Sequence, residues 1–237
     1  MLRNLILSAA AAGVAAGLFT AVVQHVTTTP IIIEAEKYEG QPAHDHIAAL
    51  ATAESAVVST PGDVAEEEGW SPGDGIERTL YTSLATTVIG VGFTLALLGA
   101  MSLSGISINA RNGLAFGVAG FMAVALAPAM GLPPEIPGSG AAALEARQAW
   151  WFFAVGATAI GIAGLLLTKN TWLQIAGAIL VAAPHIVGAP HPQEYASTAP
   201  AELAGHFAAA SLAVTAIFWV VLGSASGALY ERLSRSR

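Results

Sequence analysis

The chain has no cysteine and little charge, and its long apolar stretches have no acidic or basic residue in their cores. Without cysteine it can form no disulfide, thiolate metal site or iron–sulfur cluster. Charged residues make up 11% of 237 residues, against about 25% in a typical soluble domain. The net charge of −7 argues against nucleic-acid binding, which needs basic patches. Any metal site must therefore use imidazole, carboxylate, thioether or backbone oxygen.

Motifs of catalysis are missing as well. The sequence has no phosphate-binding loop, no His-Glu-x-x-His and no recognisable nucleophile motif. We therefore predict that the chain is not an enzyme and needs no cofactor.

Six apolar stretches are long enough to cross a bilayer, for which a helix needs about 20 apolar residues. The sequence therefore predicts an all-α, polytopic integral membrane protein with one membrane domain over residues 1–237, surrounded by lipid. Gly-x-x-x-Gly pairs at 13/17, 113/117 and 223/227 predict close helix packing. The predicted spans cover residues 4–26, 79–101, 113–130, 148–168, 172–188 and 205–230.

Basic residues predict the orientation, because short cytoplasmic loops carry an excess of Lys and Arg. This rule places both termini in the cytoplasm. The first span resembles a cleaved signal peptide, but it is long enough to cross the bilayer, so we favour a retained signal anchor over cleavage. The outer segments then hold 15 of the 16 acidic residues but only three basic ones, Lys37, Arg78 and Arg147. Residues 27–78 form an acidic extracytoplasmic loop that attracts cations. The part near 44–58 is interpreted as either a surface helix or solvated loop.

All six histidines fall on the same outer side. His185 is the sharpest candidate because Pro184 disturbs the preceding helical turn and Gly188 ends the helix. Broken helices at membrane depth line cavities, and neutral imidazole binds divalent transition metals. Alternatively, His185 hydrogen-bonds a neighbouring helix, and the loop histidines are ordinary surface residues. The predicted metal ligands are His185, His191, His206, His25, Glu34, Glu36, Glu135, His44 and His46.

Five strings resemble one protein family. They are Ile33–Glu39 preceded by Thr29-Pro30, Gly131–Gly138, Arg147–Trp151, Gly188–Pro192 and Phe207–Leu212. Together they resemble the CbtA family of cobalt transporter subunits, in the family's order and over almost the whole chain. His191 and Glu135 lie within these strings, whereas the other ligands are predicted from residue chemistry alone.

The resemblance implies uptake of cobalt for cobalamin synthesis, and we expect the protein in the bacterial inner (cytoplasmic) membrane. Oxygen and imidazole ligands without thiolate suit Co²⁺ or Ni²⁺. The resemblance also implies a partner, the small one-span CbtB subunit with a histidine-rich end. Family descriptions often give five spans, against six counted from this sequence.

Two other functions fit the residues. Histidines at similar depth on facing helices suggest a bis-histidine haem protein that transfers electrons. The chain is alternatively a structural or assembly subunit of a membrane complex, without an ion path of its own.

Overall fold

The computed structural model describes residues 2–38, 72–73, 75–192 and 197–235. In these ranges the chain is all-helical, which confirms the predicted fold class. A π-helical turn, Met122–Leu126, joins α4 to α5, so that Ala110–Ala129 is one continuous helix. The α-helices are α1 Leu2–Val26, α2 Thr28–Glu36, α3 Ile76–Leu103, α4 Ala110–Phe121, α5 Ala127–Ala129, α6 Leu144–Leu166, α7 Thr171–Val187 and α8 Ala201–Arg235.

Five helices in the described part of the chain are long and apolar enough to cross a membrane. They are α1, α3, the continuous helix Ala110–Ala129, α6 and α8. α7 is also apolar but has 17 residues, which at about 1.5 Å per residue gives roughly 25 Å, less than the ~30 Å hydrocarbon core. The count of six spans therefore stays a prediction.

The structure differs from the predicted loop 27–78 at both ends. Residues Thr28–Glu36 form α2 directly after α1, and α3 already begins at Ile76. Pro30 lies in the first turn of α2, where its missing N–H costs no hydrogen bond. Ile31 and Ala35, four residues apart, are buried on one face. Residues 39–71 and 74, which include His44, His46 and the interpreted surface helix near 44–58, lie outside the described residues.

Four helices form the larger part of the bundle, which we call the body. α1 packs against α3 and α8, and α8 packs against α4. Leu98, Met101 and Leu222 are fully buried at its centre, and the rings of Phe218 and Trp219 pack beside them. Because lipid tails are as apolar as leucine, van der Waals packing rather than the hydrophobic effect holds such helices together.

Glycines set the closest contacts within the body. A Cβ atom on Gly13 would lie 2.5 Å from the Cα of Val91 in α3. Where α4 crosses α8, a Cβ atom on Gly223 would lie 2.9 Å from the Cα of Gly117. The Gly-x-x-x-Gly pairs thus pack helices of the same chain against each other, as predicted.

α6 and α7 form an antiparallel pair, which we call the hairpin. A Cβ atom on Gly161 or on Gly177 would lie 2.6 Å from the carbonyl oxygen of the other residue. Among the described helices, α7 packs only against α6, and α6 reaches the body only through the helix Ala110–Ala129. The hairpin is therefore attached to the body along one side.

The start of α1 and the end of α8 lie together, because Asn4 Nδ2 donates a hydrogen bond of 3.0 Å to the carbonyl oxygen of Leu233. This places the first and last described helical turns at the same end of the bundle. That this end is cytoplasmic stays a prediction from the charge pattern.

Loops at the opposite end pack into a small cluster with α2, which we call the cap. Ile136, Ala35 and Ala199 are buried at its centre. The N–H of Thr198 donates to the carbonyl oxygen of Gly138 over 3.2 Å. The cap thus joins the loop before α6 to the start of α8.

Candidate functional site

A cavity of about 780 Å³ lies between the hairpin and the body, next to the cap. α6 and α8 supply two of its walls, and these helices make no close backbone contact among the residues described. The π-helical turn and α5 supply a third. The lining residues are Val124, Ala125, Pro128, Ala129, Leu132, Pro133, Pro134, Glu135, Leu144, Arg147, Gln148, Trp151, Phe152, Ser211, Leu212 and Thr215.

Irregular backbone forms the third wall. Pro128 has no N–H, so the carbonyl of Val124, four residues earlier, cannot receive its usual helical hydrogen bond. The N–H of Ala127 instead bonds to the carbonyl of Met122, five residues earlier, as in a π-helix. Such backbone is tolerated at membrane depth where it is buried in protein or lines a wet cavity. This wall is therefore a candidate for binding a polar ligand.

Three uncharged polar side chains also line the cavity: Gln148 of α6, and Ser211 and Thr215 of α8. Ser211 and Thr215 are four residues apart and so share one face of α8. The Thr215 hydroxyl donates to the carbonyl of Ser211 over 2.8 Å, which leaves its oxygen lone pairs free to accept. The cavity thus offers oxygen ligands from two walls.

Glu135 and Arg147 form an ion pair at the cavity. Arg147 Nη2 lies 2.8 Å from Glu135 Oε2, and each side chain is 30% exposed. Glu135 precedes the buried Ile136 of the cap, whereas Arg147 is in the first turn of the hairpin helix α6. The Nε atom of Arg147 is buried without a hydrogen-bond partner among the described residues. The pair is an ionic link between cap and hairpin.

A second cavity, of about 480 Å³, lies beside the start of α6. It is formed by the loop before α6 and by the segment after α7. His191 is exposed there, and it is the sequence-predicted ligand of this cavity. The lining residues are Gly140, Ala141, Ala142, Ala143, Ala146, Pro190, His191 and Pro192.

His185 lies in the last turn of α7 and is half-buried. Its ring meets that of Trp150 edge-on, with 6.5 Å between centroids. α7 continues past Pro184 to Val187 and ends at Gly188, whose φ is 84°. The helix therefore ends three residues after His185. The ring contact of His185 is with the indole of Trp150.

His25 and His206 are exposed, at the end of α1 and near the start of α8. Those two helices pack against each other. His185 faces neither histidine across a helix contact, since α7 packs only against α6 in the described structure. The haem alternative stays a prediction.

Each predicted acidic ligand forms an ion pair with one of the three basic residues predicted on its side of the membrane. The hydrogen bond from Lys37 to Glu34 also raises the pKa of Lys37. An incoming metal ion therefore meets a side-chain cation at each of these carboxylates. The pairs are Glu34 with Lys37, Glu36 with Arg78, and Glu135 with Arg147.

No group of three His, Asp or Glu side chains is placed to hold one metal ion in the ranges the structure describes. Of the predicted ligands, Glu135 lines the larger cavity and His191 the smaller one. The complete ligand set stays a prediction.

A family model described as "Probable cobalt transporter subunit (CbtA)" matches residues 2–231. The chain belongs to the CbtA family. No curated protein and no solved structure matches it. CbtA is a family of transporter subunits, not of enzymes, which confirms the predicted class. This CbtA chain is accordingly a multi-pass membrane protein.

The strings that resemble CbtA surround both cavities. Those at 131–138, 147–151 and 207–212 contribute to the larger cavity, and the one at 188–192 to the smaller. Sequence reasoning identified Glu135 but missed Gln148, Ser211 and Thr215. Two features of the sequence point to the larger cavity. Gln148 and Ser211 lie within strings that resemble the family, and Pro128 interrupts an otherwise regular apolar span.

Proposed function

We propose that this CbtA-family chain carries Co²⁺ inward across the bacterial cytoplasmic membrane, as a subunit of a transporter that supplies cobalamin synthesis. The observation that carries the proposal is the family match over residues 2–231. The larger cavity supports a route for the ion, because it combines oxygen ligands with irregular backbone between two helical units.

The energetics favour passive inward movement. A potential of 100 mV, negative inside, gives a divalent cation about 4.6 kcal/mol. The spans have no acidic residue in their cores, whereas proton-coupled carriers usually keep a carboxylate there. The acidic outer segments raise the local cation concentration, an effect that salt weakens. Inward movement thus needs no coupling residue.

The cavity ligands suit a hard or borderline cation. Glu135, Gln148, Ser211 and Thr215 offer oxygen, and the chain has no thiolate. Oxygen and imidazole suit Co²⁺ and Ni²⁺, whereas thiolate and thioether select Cu⁺. The family match favours cobalt between the two.

His191 supports a second route to the same function. It lines the smaller cavity, and His185 lies at the end of the helix just before it. In this version the ion passes beside α7 instead of between α6 and α8. The exposed His25 and His206 and the partly exposed Glu34 and Glu36 capture cations on the outer side in either case, together with His44 and His46.

Uptake of radiolabelled cobalt by cells expressing the chain tests the two routes. We expect Ser211→Ala/Thr215→Val to lower uptake by about tenfold, because two oxygen ligands are lost from the cavity. Thr158→Val is the matched control, since Thr158 is a buried α6 hydroxyl outside the cavity lining. His185→Ala/His191→Ala should retain most of the uptake.

If the histidine double variant loses uptake and Ser211→Ala/Thr215→Val retains it, the histidine route replaces the cavity route. Normal uptake in both double variants, at matched membrane levels, would refute both routes. No uptake by the wild type calls for co-expression of a CbtB-like one-span subunit. If uptake is still absent, the structural-subunit alternative replaces transport by this chain.

A further inference from the structure

We propose that Arg147 competes with the transported cation for Glu135, and that its displacement frees the hairpin from the cap and widens the larger cavity. The inference rests on the proposed function for the identity of the cation. It makes the Glu135–Arg147 pair a cation-sensitive latch.

The two partners of the latch belong to different structural units. Glu135 lies beside Ile136, which is 3% exposed in the cap, and the cap is tied to the start of α8 by the bond from Thr198 to Gly138. Arg147 belongs to α6 and therefore to the hairpin. The 2.8 Å contact thus joins the hairpin, which supplies the α6 wall of the cavity, to the cap, which is tied to the helix of the α8 wall.

In the described ranges, few other contacts hold the hairpin against the body at this end. α7 contributes no helix contact to the body, and α6, apart from its packing with α7, packs only on the helix Ala110–Ala129. Near the cap, the tight contacts are those of Gly131 with the Trp150 ring and with Ala189 after α7: a Cβ on Gly131 would lie 2.5 Å from the indole and 2.8 Å from the Cβ of Ala189. The hairpin can therefore rotate about this edge while only a few contacts break, as in hinge motions between packed units.

The charges favour exchange by a divalent cation. Arg147 uses Nη2 for Glu135, while its buried Nε has no partner in the described part of the chain. A cation of charge +2 interacts with a carboxylate twice as strongly as a guanidinium at equal distance and dielectric. Both side chains are partly exposed, so the released guanidinium can reach water.

The Glu36–Arg78 pair shows why this latch is specific to the hairpin. Two hydrogen bonds, of 2.6 and 3.1 Å, join these side chains. The pair links α2 to α3, and neither residue lines either cavity. A cation that displaced Arg78 would therefore leave the gap between α6 and α8 unchanged.

Thiol accessibility tests the latch directly, because the chain has no native cysteine. Ala125→Cys places one thiol at a half-buried position on the wall formed by the π-helical turn, to be labelled in membrane vesicles by a charged maleimide. We expect CoCl₂ to accelerate its labelling by about tenfold, a typical allosteric coupling. Ala201→Cys, exposed at the start of α8 and outside both cavity linings, controls for effects of cobalt on the reagent.

Variants of the latch separate the possible outcomes. Added to Ala125→Cys, Arg147→Gln should give fast labelling without cobalt, and Glu135→Gln should remove the cobalt response. Arg147→Lys should retain that response, which guards against a loss of folding. Unchanged basal labelling in the folded Arg147→Gln variant would overturn the latch, as would a cobalt response that persists in Glu135→Gln.

The labelling does not require the chain to transport anything. A cobalt response in vesicles without cobalt uptake would retain the latch and reject the proposed function. Uptake without a change in labelling would retain the function and reject the latch.

Discussion

Gly223→Ala is expected to lower the melting temperature of the purified protein, whereas Gly92→Ala leaves it unchanged or raises it. Each change adds one methyl group to a helix interior, where alanine is favoured over glycine by up to about 1 kcal/mol. Among the described residues, no atom beyond the backbone of its own helical turns lies within 4 Å of a Cβ on Gly92. A Cβ on Gly223 would lie 2.9 Å from the Cα of Gly117, inside the ordinary contact distance of about 3.5–4.0 Å.

The obstacle at Gly223 is backbone, so a side-chain rotation cannot relieve it. α4 and α8 must move apart, and we expect a cost of about 1–3 kcal/mol, as for other overpacked sites. Thermal unfolding in detergent, followed by tryptophan fluorescence, compares the two variants with the wild type. Equal melting temperatures for all three proteins would contradict the close α4–α8 crossing.

Cobalt uptake is expected to fall by at least about tenfold when Ala125→Trp and Ser211→Trp are combined, because two indole rings then occupy the proposed route. Both positions line the 780 Å³ cavity, from the π-helical turn and from α8. The matched control is Ala115→Trp/Ala213→Trp, on exposed positions of α4 and α8. The control should transport normally.

Membrane levels and monodispersity of both double variants are measured beside uptake. Full uptake in a correctly folded Ala125→Trp/Ser211→Trp protein would exclude the larger cavity as the route. A similar loss in both double variants would also count against it, because added bulk on the exposed face would then explain the defect.

The long helices could be predicted because their signal is local. A run of about 20 apolar residues without charge has few alternatives to a membrane helix, since lipid offers no partner for backbone groups. The observed helices extend the predicted ranges by only a few residues, as in Ala201–Arg235 against 205–230. α2 was missed because its nine residues are too few to show a clear helical period.

The candidate site was predicted only in part. Glu135 was identified, but its partner Arg147 lies 12 residues away and was counted only as an outer charge. Glu36 likewise pairs with Arg78, 42 residues away. Such pairs depend on which helix ends meet, and charge counting cannot supply that information.

The sequence by itself determined the membrane class and the approximate positions of the long helices, and it predicts the orientation, because each follows from length, apolarity and charge along the chain. Only the tertiary structure decided that the acidic ligands are ion-paired and that α6 and α7 stand apart from the body. It alone brought Glu135, Arg147, Ser211 and the π-helical turn around one cavity. The physical reason is that helix pairing in lipid depends on the fit of small residues between distant segments. That fit is a property of surfaces in three dimensions.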